Sequence, residues 1–307
     1  MKFPLSTIRE SCHATLAFFD LFDYPLTLEE IRSYYLGRIP GKEVLESFLG
    51  KDERIGNKDG FYFFKGRESL VAVRHEREKI AKKYWRKVHI FLPFIRLIPF
   101  IRMVGVCNTL AFNNPTRDSD IDLFIIAKRG RLFFVRFLTV ALFSLLGVRR
   151  HGRKISRRFC LSLYVDEENL NLQTIHLSKD DIYLPYWILT MKPVYGETTY
   201  RKFMDANSWI GEYFHHHAGF SHDFWQRGKV TGTMASVLEF LMKGRIGSFI
   251  EKLLESYQRK RHRKKISTLP ESASIVVNSH MLKFHNIDRR KEIARKFHER
   301  LREIEGG

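Results

Sequence analysis

Cysteine is scarce: Cys12, Cys107 and Cys160 are widely spaced and never form a CxxC. That pattern argues against a disulfide framework or a cysteine-rich zinc site and fits a reducing cytoplasm. Acids are also in deficit, with 34 Asp and Glu against 53 Lys and Arg, a formal charge of +19. A field of that sign favours polyanions, either nucleic acid or nucleoside triphosphates, and it also serves solubility. The longest apolar run, "FLTVALFSLLGV" at 137–148, is too short to span a bilayer and is flanked by Arg136 and Arg149-Arg150. The start, "MKFPLSTIRESCH", lacks the apolar core of a signal peptide. A soluble, cytoplasmic protein is therefore expected, with no membrane partner indicated and contact with a membrane surface left open. No Ser/His/Asp grouping, GxSxG, Walker or GxGxxG motif is visible, nor any repeat or low-complexity linker.

What is present divides into three stretches. Residues 1–76 read as a small unit. "SCHATLAFFDLFDYPLTLEEIRSYYLG" predicts two helices around a turn at Tyr24-Pro25, with Thr27 and Glu30 spaced as a capping box for the second. "GKEVLESFLG" predicts a third helix, and "RIGNKDGFYFFKG" a hairpin turning over Gly56 to Gly60. Three helices and a hairpin resemble a winged-helix module; the alternative is a helical cap packed on the next domain. "VRHEREKIAKKYWRKVH" (73–89) is a charged helix leading into the centre.

Residues 77–210 alternate in type: a strand ending near Cys107, a short turn or helix at 109–114, a strand at 120–126, a helix, and a strand in "RRFCLSLYVD". Such mixing predicts an α+β fold, a mixed sheet with flanking helices. Residues 211–307 read as a helical C-terminal region, with a long or paired amphipathic helix and a terminal one.

The chemistry concentrates in "VGVCNTLAFNNPTRDSDIDLFII" (104–126), where acids at Asp118, Asp120 and Asp122 interrupt an apolar pattern. Strand side chains alternate, so Asp120 and Asp122 share a face. Two such carboxylates repel, and a shared cation removes the penalty. Oxygen ligands suit Mg²⁺ or Mn²⁺, which can bind phosphates at the same time. Asn108 tolerates a left-handed turn, and the Thr109 hydroxyl with freed backbone N–H groups can hold a phosphate.

This stretch resembles the nucleotidyltransferase fold of the DNA polymerase beta superfamily: strand, Gly-Ser, short helix, then an acid-hydrophobic-acid strand. Asp120 and Asp122 fall on that family's metal-binding pair, and Asn108 and Thr109 fall where Gly and Ser usually stand. "FFDLFDYPLTLEEI" and "LKFHNIDRRKEI" resemble the flanks of bacterial proteins that carry this domain between a winged-helix-like start and a helical tail. The resemblance implies an enzyme that moves a nucleoside monophosphate from an NTP to an acceptor hydroxyl. The acceptor is a nucleic acid, a protein side chain or a small molecule, and the basic loops tilt toward nucleic acid. The rivals are a winged-helix DNA-binding regulator, or a nucleotide-sensing module with an inactive transferase domain. Restoring Gly at position 108 is expected to tighten triphosphate binding.

The family brings a third carboxylate from a later strand. In "RRFCLSLYVDEENL", alternation puts Arg158, Cys160, Ser162, Tyr164 and Asp166 on one face, which makes Asp166 the candidate; alternatively it begins a polar turn and Ser162 faces the pair. Lys128, Arg129 and Arg131 contact phosphates or, as favoured here, cap a surface turn. "VRRHGRKISRR" (148–158) and "QRKRHRKK" (258–265) are candidate polyanion contacts or solvated runs. The histidines of "FHHHAGFSH" (214–222) cannot all face one ion from a regular element, and Trp187, Trp209 and Trp225 read as core or interface aromatics.

Overall fold

The computed structural model describes residues 5, 7–152, 154–178, 180–215, 233–266, 274–285 and 288–306. Thr7 and Glu10 form a reciprocal cap that opens α1 (Ile8–Asp20). Thr27 and Glu30 repeat the device, as their spacing predicts, between β1 (Leu26–Thr27) and α2 (Leu28–Tyr34). α3 (Lys42–Lys51) follows, then the hairpin β2 (Ile55–Lys58) and β3 (Phe61–Phe64). Its turn is shorter than expected. β2 continues through Lys58, and Asp59-Gly60, both at positive φ, make the bend. That conformation matches the twist of the paired strands. β1 adds antiparallel to β3.

α4 (Leu70–Arg96) runs unbroken through the expected boundary at 76. Ala81, Tyr84, Trp85, Val88 and Leu92 line its buried face, which packs on the larger sheet. That sheet contains β4 (Ile101–Cys107), β5 (Ile121–Ala127), β6 (Phe159–Asp166), β7 (Lys192–Tyr195), β8 (Ser274–Val277) and β9 (Met281–His285). Its order is β7-β4-β5-β6-β9-β8, with β5 and β6 parallel and the other neighbours antiparallel. A parallel pair needs a crossover, and α5 (Leu132–Leu145) supplies it. α6 (Tyr183–Thr190), α7 (Glu197–Ala206), α8 (Thr233–Leu241), α9 (Gly244–Ile266) and α10 (Arg290–Gly306) complete the described helices. The architecture is α+β, a mixed sheet with flanking helices.

The expectation for the C-terminal region fails. The region 211–307 is not helical throughout, because the β8–β9 hairpin pairs with β6 and extends the sheet.

The two sheet faces bury separate cores. Ile121, Leu123 and Ile125 face α4 and α5. Phe124 and Ile126 face α6, α7 and the helices of the first stretch, in one continuous apolar cluster. Phe18 of α1 stacks on Tyr186 of α6 with ring centroids 3.9 Å apart. Arg300 of α10 donates to Asp20 at 2.8 Å, which ties the last helix to the first. Among the described residues, no helix is long and apolar enough to cross a membrane.

Candidate active site

Asp122 sits between two strand ends: it lies opposite Cys107 of β4 on one side and Cys160 of β6 on the other. Asp120 precedes it by two residues, and alternation turns both side chains to the face that carries Phe124 and Ile126. The strand thus delivers two carboxylates to one point, as the sequence predicts. Their oxygens and the Cys160 sulfur lie within 4.8 Å of one another. They open on a cleft of about 1140 Å³, whose walls include Asn108, Thr109, Arg149, Tyr257, Arg261 and Lys283.

The turn after β4 is built for Asp122. Asn108 adopts a left-handed backbone, φ 58°. From there its Nδ2 donates to Asp122 Oδ2 at 2.7 Å, while its Oδ1 accepts from the Tyr183 hydroxyl at 3.0 Å. Asn108 therefore holds Asp122 rather than presenting an open amide to a phosphate. Thr109 lines the cleft beside it.

Burial pushes the Asp122 carboxyl up to about 6, and the charge of Asp120 adds to the rise; Asn108, Cys160 and Arg150 act in the opposite direction. Arg150, from the loop before β6, places Nη1 2.5 Å from Asp120 Oδ2 and 3.8 Å from Cys160 Sγ. Burial, then Asp122 and Asp120, push the Cys160 thiol well above its ordinary range, so it stays neutral. The donor set fits a hard divalent ion through its two carboxylates, since the ion would offset both the burial and the repulsion that raise Asp122. Sulfur is a soft donor and suits such a hard ion poorly.

Asp166 does not join them, contrary to expectation. Along the parallel pair, Asp122 lies opposite Cys160 but Ala127 lies opposite Asp166, five residues farther along. At ~3.3 Å per residue that is about 16 Å. The pairing also shifts register between Asp122 and Phe124, where Cys160 is succeeded by Leu163 as partner. One extra residue inverts the alternation. Phe159, Leu161 and Tyr164 thus share one core, while Leu163 and Val165 share the other. Asp166 is instead buried in a polar turn, where Oδ1 accepts from the Glu168 amide at 3.1 Å and from Asn169 Nδ2 at 2.8 Å. Cys160 and Ser162 occupy the site's side of the strand.

The other candidates separate cleanly. Arg149, Arg150 and Arg261 line the cleft, so both basic runs contribute to it; Arg153 lies outside the described residues. Arg129 pairs with Glu168 at the far end of β5, and Arg131 donates to the Met242 carbonyl; neither is among the residues that line the cleft. Residues 216–232, with most of the histidine run and Trp225, lie outside the described residues. Trp187 is in the core and Trp209 packs against it.

Several contributors had no visible signal in the sequence. Tyr183 lies in an apolar helix with no motif. Lys283 and Arg290 reach the cleft wall from β9 and α10, held by Asp288 at 3.2 Å and by Asp181 at 3.0 Å. The stretch "LKFHNIDRRKEI" thus contributes side chains to the cleft. No family model, curated protein or solved structure matches this chain.

Proposed function

We propose that this protein is a metal-dependent nucleotidyltransferase that moves a nucleoside monophosphate from an NTP to an acceptor hydroxyl. The observation that carries the reading is the pairing of Asp120 and Asp122 on one face in the wall of a large, cation-lined cleft. Asp120 and Asp122 would hold Mg²⁺ or Mn²⁺, which when bound supplies charge neutralisation for the phosphates. Asn108 fixes Asp122 through one amide hydrogen bond. Thr109 offers a hydroxyl on the cleft wall, and Arg149 and Arg261 offer guanidinium groups that suit phosphate oxygens. These same arginines support a nucleic acid as acceptor. Phosphoryl transfer depends on positioning and neutralisation more than on covalent chemistry, so two carboxylates suffice for a slow reaction.

A second reading has its own support. Arg150 already neutralises Asp120, and the third group beside the pair is Cys160 rather than a carboxylate. Both favour a module that binds nucleotide without turnover. The regulator version has less support. The order α1-β1-α2-α3-β2-β3 suits a winged-helix-like unit. Yet α3, which would enter the groove, sets Glu43 and Glu46 against Lys42 and Lys51 and offers DNA phosphate no net charge.

The test is incubation with each labelled triphosphate, Mg²⁺ or Mn²⁺ and mixed acceptors, with mass analysis of what gains a nucleotide. Transfer abolished in Asp120→Asn and Asp122→Asn supports the enzyme. Metal-dependent triphosphate binding without transfer supports the sensor. Binding that survives in the double variant removes both.

A further inference from the structure

The helices α8 and α9 expose an apolar stripe that no described part of the chain covers. Phe240, Leu241, Ile246, Phe249, Leu253 and Tyr257 are each more than half exposed. On α9 the last four recur at spacings of three and four, which places them along one face. A different face, with Glu251, Leu254 and Gln258, is spent on the protein: Glu251 accepts from the Phe133 and Phe134 amides, and Gln258 donates to the Phe133 carbonyl. The elbow between the helices is fixed. Arg131 donates to the Met242 carbonyl at 3.1 Å, and a side chain at Gly247 would collide with that carbonyl.

Charge decides what fits the stripe. The three acids of these helices are all engaged by the protein: Glu239 by Arg102 and the Phe100 amide, Glu251 as above, and Glu255 by Arg259. The exposed charges are all cationic, at Lys243, Arg245, Lys252, Lys260 and Arg261. Two of them touch the stripe's own aromatics, Lys243 over the Phe240 ring and Arg261 against the Tyr257 hydroxyl. Helical geometry puts Arg245 and Lys252 on one flank of the stripe and Arg261 on the other.

We infer that the α8–α9 stripe docks peripherally on an anionic phospholipid surface. An interfacial helix lays its apolar face among the acyl chains while its flanking Lys and Arg meet lipid phosphates. Aromatic residues with a polar tip, such as Tyr257, suit the boundary. A second copy of the chain fits less well, since a two-fold contact sets one cationic rim against another. A nucleic acid also fits less well, because Ile246 and Leu253 offer bases neither stacking nor hydrogen bonds. Tyr257 and Arg261 line the cleft as well as the stripe, so docking would turn the cleft toward the surface. The inference does not rest on the transferase reading.

Vesicle flotation of the full chain tests it, with phosphatidylcholine alone and with phosphatidylcholine containing phosphatidylglycerol. Flotation with the anionic vesicles alone, weakened by salt, is expected. Phe249→Ser with Leu253→Ser removes exposed apolar area and should lower partitioning by about a hundredfold. Arg245→Glu with Lys252→Glu should remove the preference for anionic lipid while circular dichroism stays unchanged. Equal flotation with neutral vesicles, or no loss in the serine variant, overturns the inference. So does absence of flotation, whether alone or together with a Phe249-dependent dimer in sedimentation or Phe249-dependent binding of polyuridylate.

Discussion

Asp122 is the residue at which opposing demands meet. Burial and the neighbouring Asp120 raise its carboxyl from 3.8 to about 6, so the folded protein holds that proton more tightly than the unfolded chain. By linkage, its contribution to stability is complete below pH 3.8 and lost as pH rises through about 6. Asp122→Asn should therefore raise the melting temperature relative to the parent more strongly above pH 6 than below it. A pH-independent difference between the two melting curves would refute the assignment. Mg²⁺ should narrow the gap by stabilising the parent alone. Asn108 leads to a second expectation, opposite to the one its sequence position suggests. Its left-handed backbone already suits Gly, so Asn108→Gly loses only the amide that bonds Asp122 and Tyr183. Triphosphate binding should weaken, by on the order of 1–3 kcal/mol for a hydrogen bond to a charged group. Titration calorimetry with a non-hydrolysable triphosphate and Mg²⁺ decides it, and tighter binding would restore the phosphate-contact role. The pairing of Asp120 with Asp122 was readable because a strand has a two-residue period. Arg150 was not, because a loop residue acquires its partner only when the chain folds back.

At the scale of elements, the shift in register within β6 explains why Asp166 lies away from the carboxylate pair. Strand alternation is a dependable guide until one residue is inserted, after which every later side chain changes face. Asp166 lies beyond that point. The long helices α1, α4, α5 and α9 were visible in the sequence, α4 as a charged run. β7, β8 and β9 were not, since segments of four or five residues carry too little pattern to separate strand from loop. One inter-element contact was also invisible and is open to test. α5 has no side-chain cap of its own, and Glu251 of α9 supplies one from a distance of 118 and 117 residues along the chain. Glu251→Ala should lower unfolding free energy by about 2 kcal/mol, with Glu251→Gln recovering part of it. Urea denaturation measures the loss, and an unchanged midpoint would mean that α5 and α9 pack without this bond.

At the scale of the whole molecule, the three stretches of the sequence do not correspond to three cores. α1 shares its apolar cluster with α6, α7 and α10, and α4 bridges the small sheet to the large one. Scanning calorimetry is expected to show one transition; two resolved peaks would give residues 1–76 a core of their own. Removing those residues should strip cover from Phe112 and Tyr186, which pack against Phe19, and leave an aggregating remainder. A monodisperse, folded fragment in sedimentation would contradict this. The pairing of β6 with β9 has a consequence for biosynthesis. During translation β6 emerges more than a hundred residues before its outer partner, and α1 waits still longer for α10. Until then the nascent chain carries a bare strand edge and an open apolar surface, the features on which chaperones and neighbouring chains act. Ribosome-bound protein truncated before β9 should accordingly be captured by holdase chaperones, and release of the completed chain should end that capture.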